Sequence, residues 1–192
     1  MKKEDFLSKL REALSIKSEI ALSLSEDGGN LVFRLSDEDL AVAFAKEFTR
    51  KGGFMYYCTT EEELKAHIDT LQHGAAMACC NDTLTQFLQG LGFANSVTSQ
   101  SGQPCALGAL LCDALEAWNG GIVVSDHLGY GITMRTLPLT TIVIAFTSQI
   151  VRDWEEVDRH LQEAYPQEKP KEIALLTPSD CKNLCLILME DQ

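Results

Sequence analysis

No apolar run in the 192-residue chain approaches the roughly 18 residues that a membrane-spanning helix requires, so no membrane role is expected. The opening "MKKEDFLSKL" carries two lysines but lacks the apolar stretch and small-residue cleavage site of a secretory signal, which points to the cytoplasm. Basic residues are also scarce, with 16 Lys and Arg against 28 Asp and Glu and a formal charge of −12. So acidic a chain is repelled by phosphate backbones and anionic lipid, and nucleic acid is not an expected partner. Long Pro-, Ser- or Gly-rich linkers are missing as well, and the length suits one domain spanning residues 1–192.

Metal and cluster chemistry lacks its usual spacings. The seven cysteines (58, 79, 80, 105, 112, 181 and 185) form no Cys-x-x-Cys pair, so reduced, mostly buried thiols are expected rather than disulfides, a metal site or an iron–sulfur cluster. His67, His73, His127 and His160 stand singly, without a ligand array. Neither a Walker loop nor a dinucleotide fingerprint occurs, and Ser125, Ser148 and Ser179 lack the Gly-x-Ser-x-Gly elbow of a hydrolase. No cofactor or metal is expected.

Alternating apolar segments are what the chain does have. Phe6, Leu7, Leu10 and Leu14 share one face of an N-terminal amphipathic helix at about residues 3–15. A short strand within "EDGGNLVFRLS" precedes a helix from Ser36 to the Gly52-Gly53 stop, with its acids in the first turn. The strand "FMYYC" (54–58) follows, then a helix opened by Thr60 and Glu63 in capping-box spacing. "AAMACC" (75–80) reads as a strand, with Asn81 capping a helix whose Leu84, Phe87, Leu88 and Leu91 face inward. After a polar loop come the strands "GIVVS" and "TTIVIAF", a helix over 148–165 lined by Ile150, Trp154, Val157 and Leu161, and the strands "EIALLT" and "LCLILM". Such alternation predicts an α/β fold on a largely parallel sheet.

"CDALEAWNGGIVVSD" (112–126) reads two ways, because Ala-Leu-Glu-Ala favours helix while Asn119-Gly120 between apolar runs is a hairpin signal. The loop leaving "GIVVS" is the candidate site, since ligand contacts in α/β folds gather where strands end. Its candidates are Ser125, Asp126, His127 and Arg135, whose guanidinium suits a phosphate or carboxylate. Cys58 could act as a nucleophile only with its pKa lowered at the following helix start. Glu61 to Glu63, Glu155 and Glu156 read as solvated or dipole-matched helix charges.

The order of these segments resembles the LUD domain of LutC/YkgG-like lactate-utilisation proteins. Asp113, Ala114, Ala117, Gly120, Ile122 and Val123 fit its A-D-x-A-I-A-E-T-G-T-I-V-L stretch. Leu137, Pro138, Ile142 and Val143 fit its L-L-P-x-x-H-I-V-V stretch, and "CKNLCLILMED" its closing strand. The likeness covers most of the chain from about residue 40. It implies a three-layer α/β/α sandwich with a mostly parallel, mixed sheet, like the NagB/RpiA/CoA-transferase group, and two strands turning at Asn119-Gly120. The chain departs from the family at Trp118, Asn119, Gly120 and Gly121, where Glu-Thr-Gly-Thr is usual, and at Thr141, where His is usual. It has no counterpart of the G-P-S-x-T-x-D-I-E segment.

The resemblance implies a divergent member with eroded motifs, serving as an accessory or binding subunit in lactate-type organic-acid oxidation and not catalytic alone. Iron–sulfur oxidoreductase subunits would be its partners, and a small anionic ligand would meet Asn119, Gly120, Gly121, Ser125, Asp126, His127 and Arg135; a separate expectation is a degenerate domain with a purely structural role, for instance a homo-oligomer, a homodimer burying the apolar N-terminal helix face. The rival expectation, from the fold group alone, is a stand-alone sugar-phosphate isomerase or CoA-transferase-type enzyme acting on an anionic substrate.

Overall fold

Residues 39–98, 106–129, 138–180 and 182–191 are described by the structure, a computed structural model. The N-terminal helix, the strand within 26–36, Ser36, Cys105, Cys181 and Arg135 lie outside them. Helix α1 (Leu40–Arg50) starts at Asp39, whose carboxylate accepts from the Ala41 amide at 3.0 Å. Its first turn therefore begins after the acidic run rather than within it. Phe44 and Phe48 on its buried face stack at 5.5 Å. Gly52, at φ +95°, then turns the chain into β1 (Phe54–Cys58).

Two crossovers follow as the sequence predicts. Helix α2 (Glu61–Gln72) is capped by the Thr60 hydroxyl, which accepts from Glu63 N at 3.2 Å, while the Glu63 carboxylate reaches back to Thr59 N at 2.8 Å. Strand β2 (Met77–Cys79) leads to α3 (Asp82–Gly90), capped by Asn81, and then to β3 (Ser96–Thr98), which replaces part of the expected polar loop. Strands β4 (Leu107–Leu111), β7 (Thr140–Phe146) and β10 (Asn183–Met189) complete a wholly parallel six-stranded sheet in the order β1-β10-β7-β4-β2-β3. Strands β7 and β10 are buried almost end to end, as parallel strands covered on both faces must be.

The connections between β4, β7 and β10 build a second, four-stranded sheet in the order β8-β5-β6-β9. It comprises β5 (Ala114–Glu116), β6 (Gly121–Ser125), β8 (Ile150–Val151) and β9 (Ile173–Leu176). Strands β5 and β6 pair antiparallel, so the ambiguous stretch is a hairpin, and pairing on both flanks overrides the helical propensity of Ala-Leu-Glu-Ala. Period-2 alternation divides its side chains. Leu115, Ile122, Val124 and Leu176 join the main core, whereas Ala114 and Val123 pack with Val157 and Leu161 of α4 (Trp154–Ala164).

Steps from β1 to β2 and from β2 to β3 run in one direction across the sheet, and those from β4 to β7 and β10 run in the other. Right-handed crossovers therefore put α2 and α3 on one face and the small sheet with α4 on the opposite face. Helix α1 packs against both β1 and β8 and so belongs to the second layer. The result is a three-layer α/β/α sandwich.

Two expected helix faces are corrected. The helix over 148–165 starts only at Trp154, because Gln149 is held on both sides. Its Oε1 accepts from Phe146 N at 2.7 Å and its Nε2 donates to Cys112 O at 2.6 Å. Ile150 thus lies in a strand, and Asp153 caps α4 through the Glu155 and Glu156 amides. Trp154 and Phe87, expected inward, are exposed; the buried stripes are Val157 with Leu161, and Leu84 with Leu88.

Candidate functional site

Adjacent strands β2 and β4 send their chains to opposite faces of the main sheet, which opens a crevice beyond their carboxyl ends where open α/β folds gather ligands. The segment after β6 sits over it. A short 3-10 turn, Asp126–Leu128, ends at Gly129, where a Cβ would stand 2.3 Å from the Cys80 carbonyl oxygen. Only glycine allows this approach. Asn81 fastens the segment, since its Oδ1 accepts from Leu84 N at 2.8 Å and its Nδ2 donates to Leu128 O at 3.2 Å. Asn81→Ala should cost about 1–2 kcal/mol, the cap and the tether together, whereas Asn81→Asp should recover roughly half of that because it keeps the cap. Urea unfolding of the two variants tests the ordering.

Immediately beyond β4, Asp113 turns into the small sheet with its amide donating to Val123 O at 2.8 Å. Its carboxylate is buried, and Oδ1 accepts from the Tyr165 hydroxyl at 2.7 Å. Ser125, fully buried at the end of β6, lies close enough to favour the charged carboxylate. Even so, neither Ser125 Oγ nor Asp113 Oδ2 has a hydrogen-bond partner of ordinary geometry. Burial pushes the Asp113 carboxyl above its usual range, against the opposing effects of Tyr165, Ser125 and the His127 charge. Burial first, and then the Asp113 charge, push the Tyr165 hydroxyl up, so it is a neutral donor at physiological pH.

His127 stacks face-on against Tyr165, with ring centroids 4.5 Å apart. The imidazole is exposed and, with Asp126, Glu168 and Lys171, lines a shallow cleft of about 200 Å³. Asp126 is committed to structure, since both carboxylate oxygens accept from Lys171 N at 3.2 and 3.3 Å. Lys171 Nζ meets Glu168 at 3.2 Å on an open surface, a contact worth little. The rim therefore offers an imidazole and a lysine ammonium, with a carboxylate, a phenol and a hydroxyl beside the stacked rings.

The expected site residues separate into two groups. Ser125, Asp126 and His127 come together with Asp113 and Tyr165, whereas Asn119 and Gly120 lie in the turn, and Gly121 opens β6, at the opposite end of the β5–β6 hairpin. There Asn119 N and Nδ2 donate to the buried Glu116 carboxylate at 3.0 and 3.3 Å. Burial raises the Glu116 pKa, opposed by these bonds and by Lys51. The turn packs on α1, and a Cβ on Gly120 would stand 2.4 Å from Phe48 N.

Other nucleophile candidates are engaged or closed off. Ser148 Oγ donates to Asp191 at 3.1 Å, Ser179 Oγ pairs with Thr177 at 2.6 Å, and Cys58 is fully buried. The Cys80 and Cys112 thiols are pushed up by burial and stay neutral. His67 stacks on Tyr56 at 4.2 Å and His73 ends α2 in a left-handed conformation, so both are structural. Sequence reasoning missed Asp113 as a site residue, together with Glu116, Tyr165, Glu168 and Lys171. An acidic residue between two apolar strands was the available signal for Asp113 and Glu116, whereas nothing in the chain marks Tyr165 as their neighbour.

No protein-family model and no curated protein matches the sequence. Among solved structures, the fold is similar to that of a DUF162 family protein from Deinococcus radiodurans, with a TM-score of 0.63 over 78% of this chain and 96% of that one at 14% identity. DUF162 is the LUD domain family, so the likeness joins this chain to a LUD-like architecture at the level of the fold.

Proposed function

We propose that this chain is a LUD-like binding domain, an accessory subunit of organic-acid oxidation of the lactate type. A small anionic ligand meets His127 and Lys171 at the rim, and separate iron–sulfur oxidoreductase subunits in the cytoplasm carry the redox chemistry. One observation supports this reading above others: Asp113 and Ser125 are buried beside Tyr165 and His127 at the carboxyl end of β4, and among the described residues the Ser125 hydroxyl has no hydrogen-bond partner of ordinary geometry. Such a group orders and senses a bound molecule but lacks an activated nucleophile.

The test is recovery of the tagged chain from native cells grown on lactate or another organic acid, with protein and iron assayed in the eluate. A stoichiometric iron-containing partner is expected. An iron-free single species that turns over a sugar phosphate or an acyl-CoA unaided would overturn the reading in favour of a stand-alone enzyme.

A further inference from the structure

Residues 165–172 connect α4 to β9 in irregular backbone. Both flanks are fixed. Val157 and Leu161 pack α4 against Ala114 and Val123 of the small sheet, with Tyr165 at the edge of that cluster, and β9 pairs with β6 along its length. The connection itself is held lightly. Pro166 and Pro170 have no amide to donate. The ion pairs Lys171–Glu168 at 3.2 Å and Lys169–Asp158 at 3.9 Å lie on open surface, where such contacts are worth little. Two attachments tie the connection to the candidate site: the Tyr165 hydroxyl donates to Asp113 Oδ1 at 2.7 Å, and Lys171 N donates to the Asp126 carboxylate at 3.2 and 3.3 Å.

What these attachments join is incompletely satisfied. Ser125 is fully buried and Asp113 is 6% exposed, yet Ser125 Oγ and Asp113 Oδ2 have no hydrogen-bond partner of ordinary geometry. A buried polar atom left unpaired costs free energy that a bound donor or acceptor recovers. Both residues lie close enough to Tyr165 to act on its hydroxyl. The same connection forms one wall of the neighbouring cleft through Glu168 and Lys171, opposite Asp126 and His127, so a molecule that enters the cleft touches the connection and one of its attachments. A hydroxyl suits the unpaired atoms, because it donates to a carboxylate oxygen and accepts from a serine.

We propose that residues 165–171 are a lid that opens as one unit, and that Asp113 Oδ2 and Ser125 Oγ then receive a hydroxyl of the ligand while its anionic group stays on His127 and Lys171. This rests on the anion-binding reading above.

Amide hydrogen exchange of the full chain, followed by NMR, tests the lid without any ligand. The Lys171 amide should exchange on the order of a hundredfold faster than the amides of β7 and β10, which open with the whole fold. Tyr165→Phe should speed Lys171 exchange by roughly tenfold, because a hydrogen bond to a charged group is no longer broken on opening. Exchange at Lys171 as slow as in β10, or unchanged by Tyr165→Phe, would overturn the lid. Titration with glycolate and acetate, equal in charge and different by one hydroxyl, tests the receiving pair. Glycolate should shift the Asp113 and Ser125 amides saturably and bind roughly fivefold more tightly, the effect of one added hydrogen bond. Equal affinities would overturn the role of Asp113 and Ser125. Binding of neither would overturn that role together with the anion-binding reading, and the exchange rates would still judge the lid.

Discussion

Gly120→Ala is expected to destabilise the fold by about 3 kcal/mol or more, combining a strained backbone with overpacking. Gly120 has φ +55°, and the Cβ it lacks would stand 2.4 Å from Phe48 N and 2.7 Å from the Glu47 carbonyl carbon. Both are backbone atoms of α1, which cannot rotate away as a side chain can. The hairpin turn therefore touches the helix backbone to backbone, and an added methyl must push the turn away from the helix. Gly74→Ala separates the two terms. That residue has φ +75° with nothing within 4 Å of the added carbon, so only the conformational cost of about 1 kcal/mol is expected. Thermal and urea unfolding of the pair should show a large gap; equal losses would refute the packing account.

Tyr165→Phe carries the second large effect, about 2 kcal/mol at neutral pH, the range for a hydrogen bond to a charged group. The variant keeps the ring that stacks on His127 and removes the hydroxyl that donates to Asp113 Oδ1. A buried carboxylate then loses its Tyr165 donor, and its Oδ2 already lacks a partner of ordinary geometry among the described residues. The loss depends on pH in a defined direction. Because the folded Asp113 pKa is raised, its contribution is most favourable below the unfolded carboxyl value and declines as pH rises through the raised folded value. Removing the donor that stabilises the ionised form steepens that decline, so the variant should lose more at pH 7 than at pH 4. Asp113→Asn in the Tyr165→Phe background should recover part of the loss at neutral pH and little in acid. Urea midpoints across that range measure it, and a pH-independent loss would show that Asp113 is not the group involved.

Local chemistry made much of the architecture legible. Thr60 and Asn81 mark helix starts because a side-chain oxygen there satisfies an otherwise unpaired amide. Strands β7 and β10 show as short apolar runs because their covered faces exclude polar side chains. Asn119-Gly120 likewise marks its turn, since Gly120 adopts the positive φ that other residues resist. Reading 148–165 as one helix failed because Gln149 is held by the Cys112 carbonyl and Ser148 by the Asp191 carboxylate, partners remote in sequence.

The site divides along the same line. Sequence alone determined that the segment after β6 begins Ser125-Asp126-His127, that its chain is acidic, and that no metal or dinucleotide spacing is present, because these are facts of composition and short-range order. Only the tertiary structure decided that Asp113 and Tyr165, 52 residues apart, share a hydrogen bond beside His127. The physical reason is that a parallel sheet gathers the ends of distant strands at one edge, and their order along that edge is set by burial and hand of crossover, which no single segment carries.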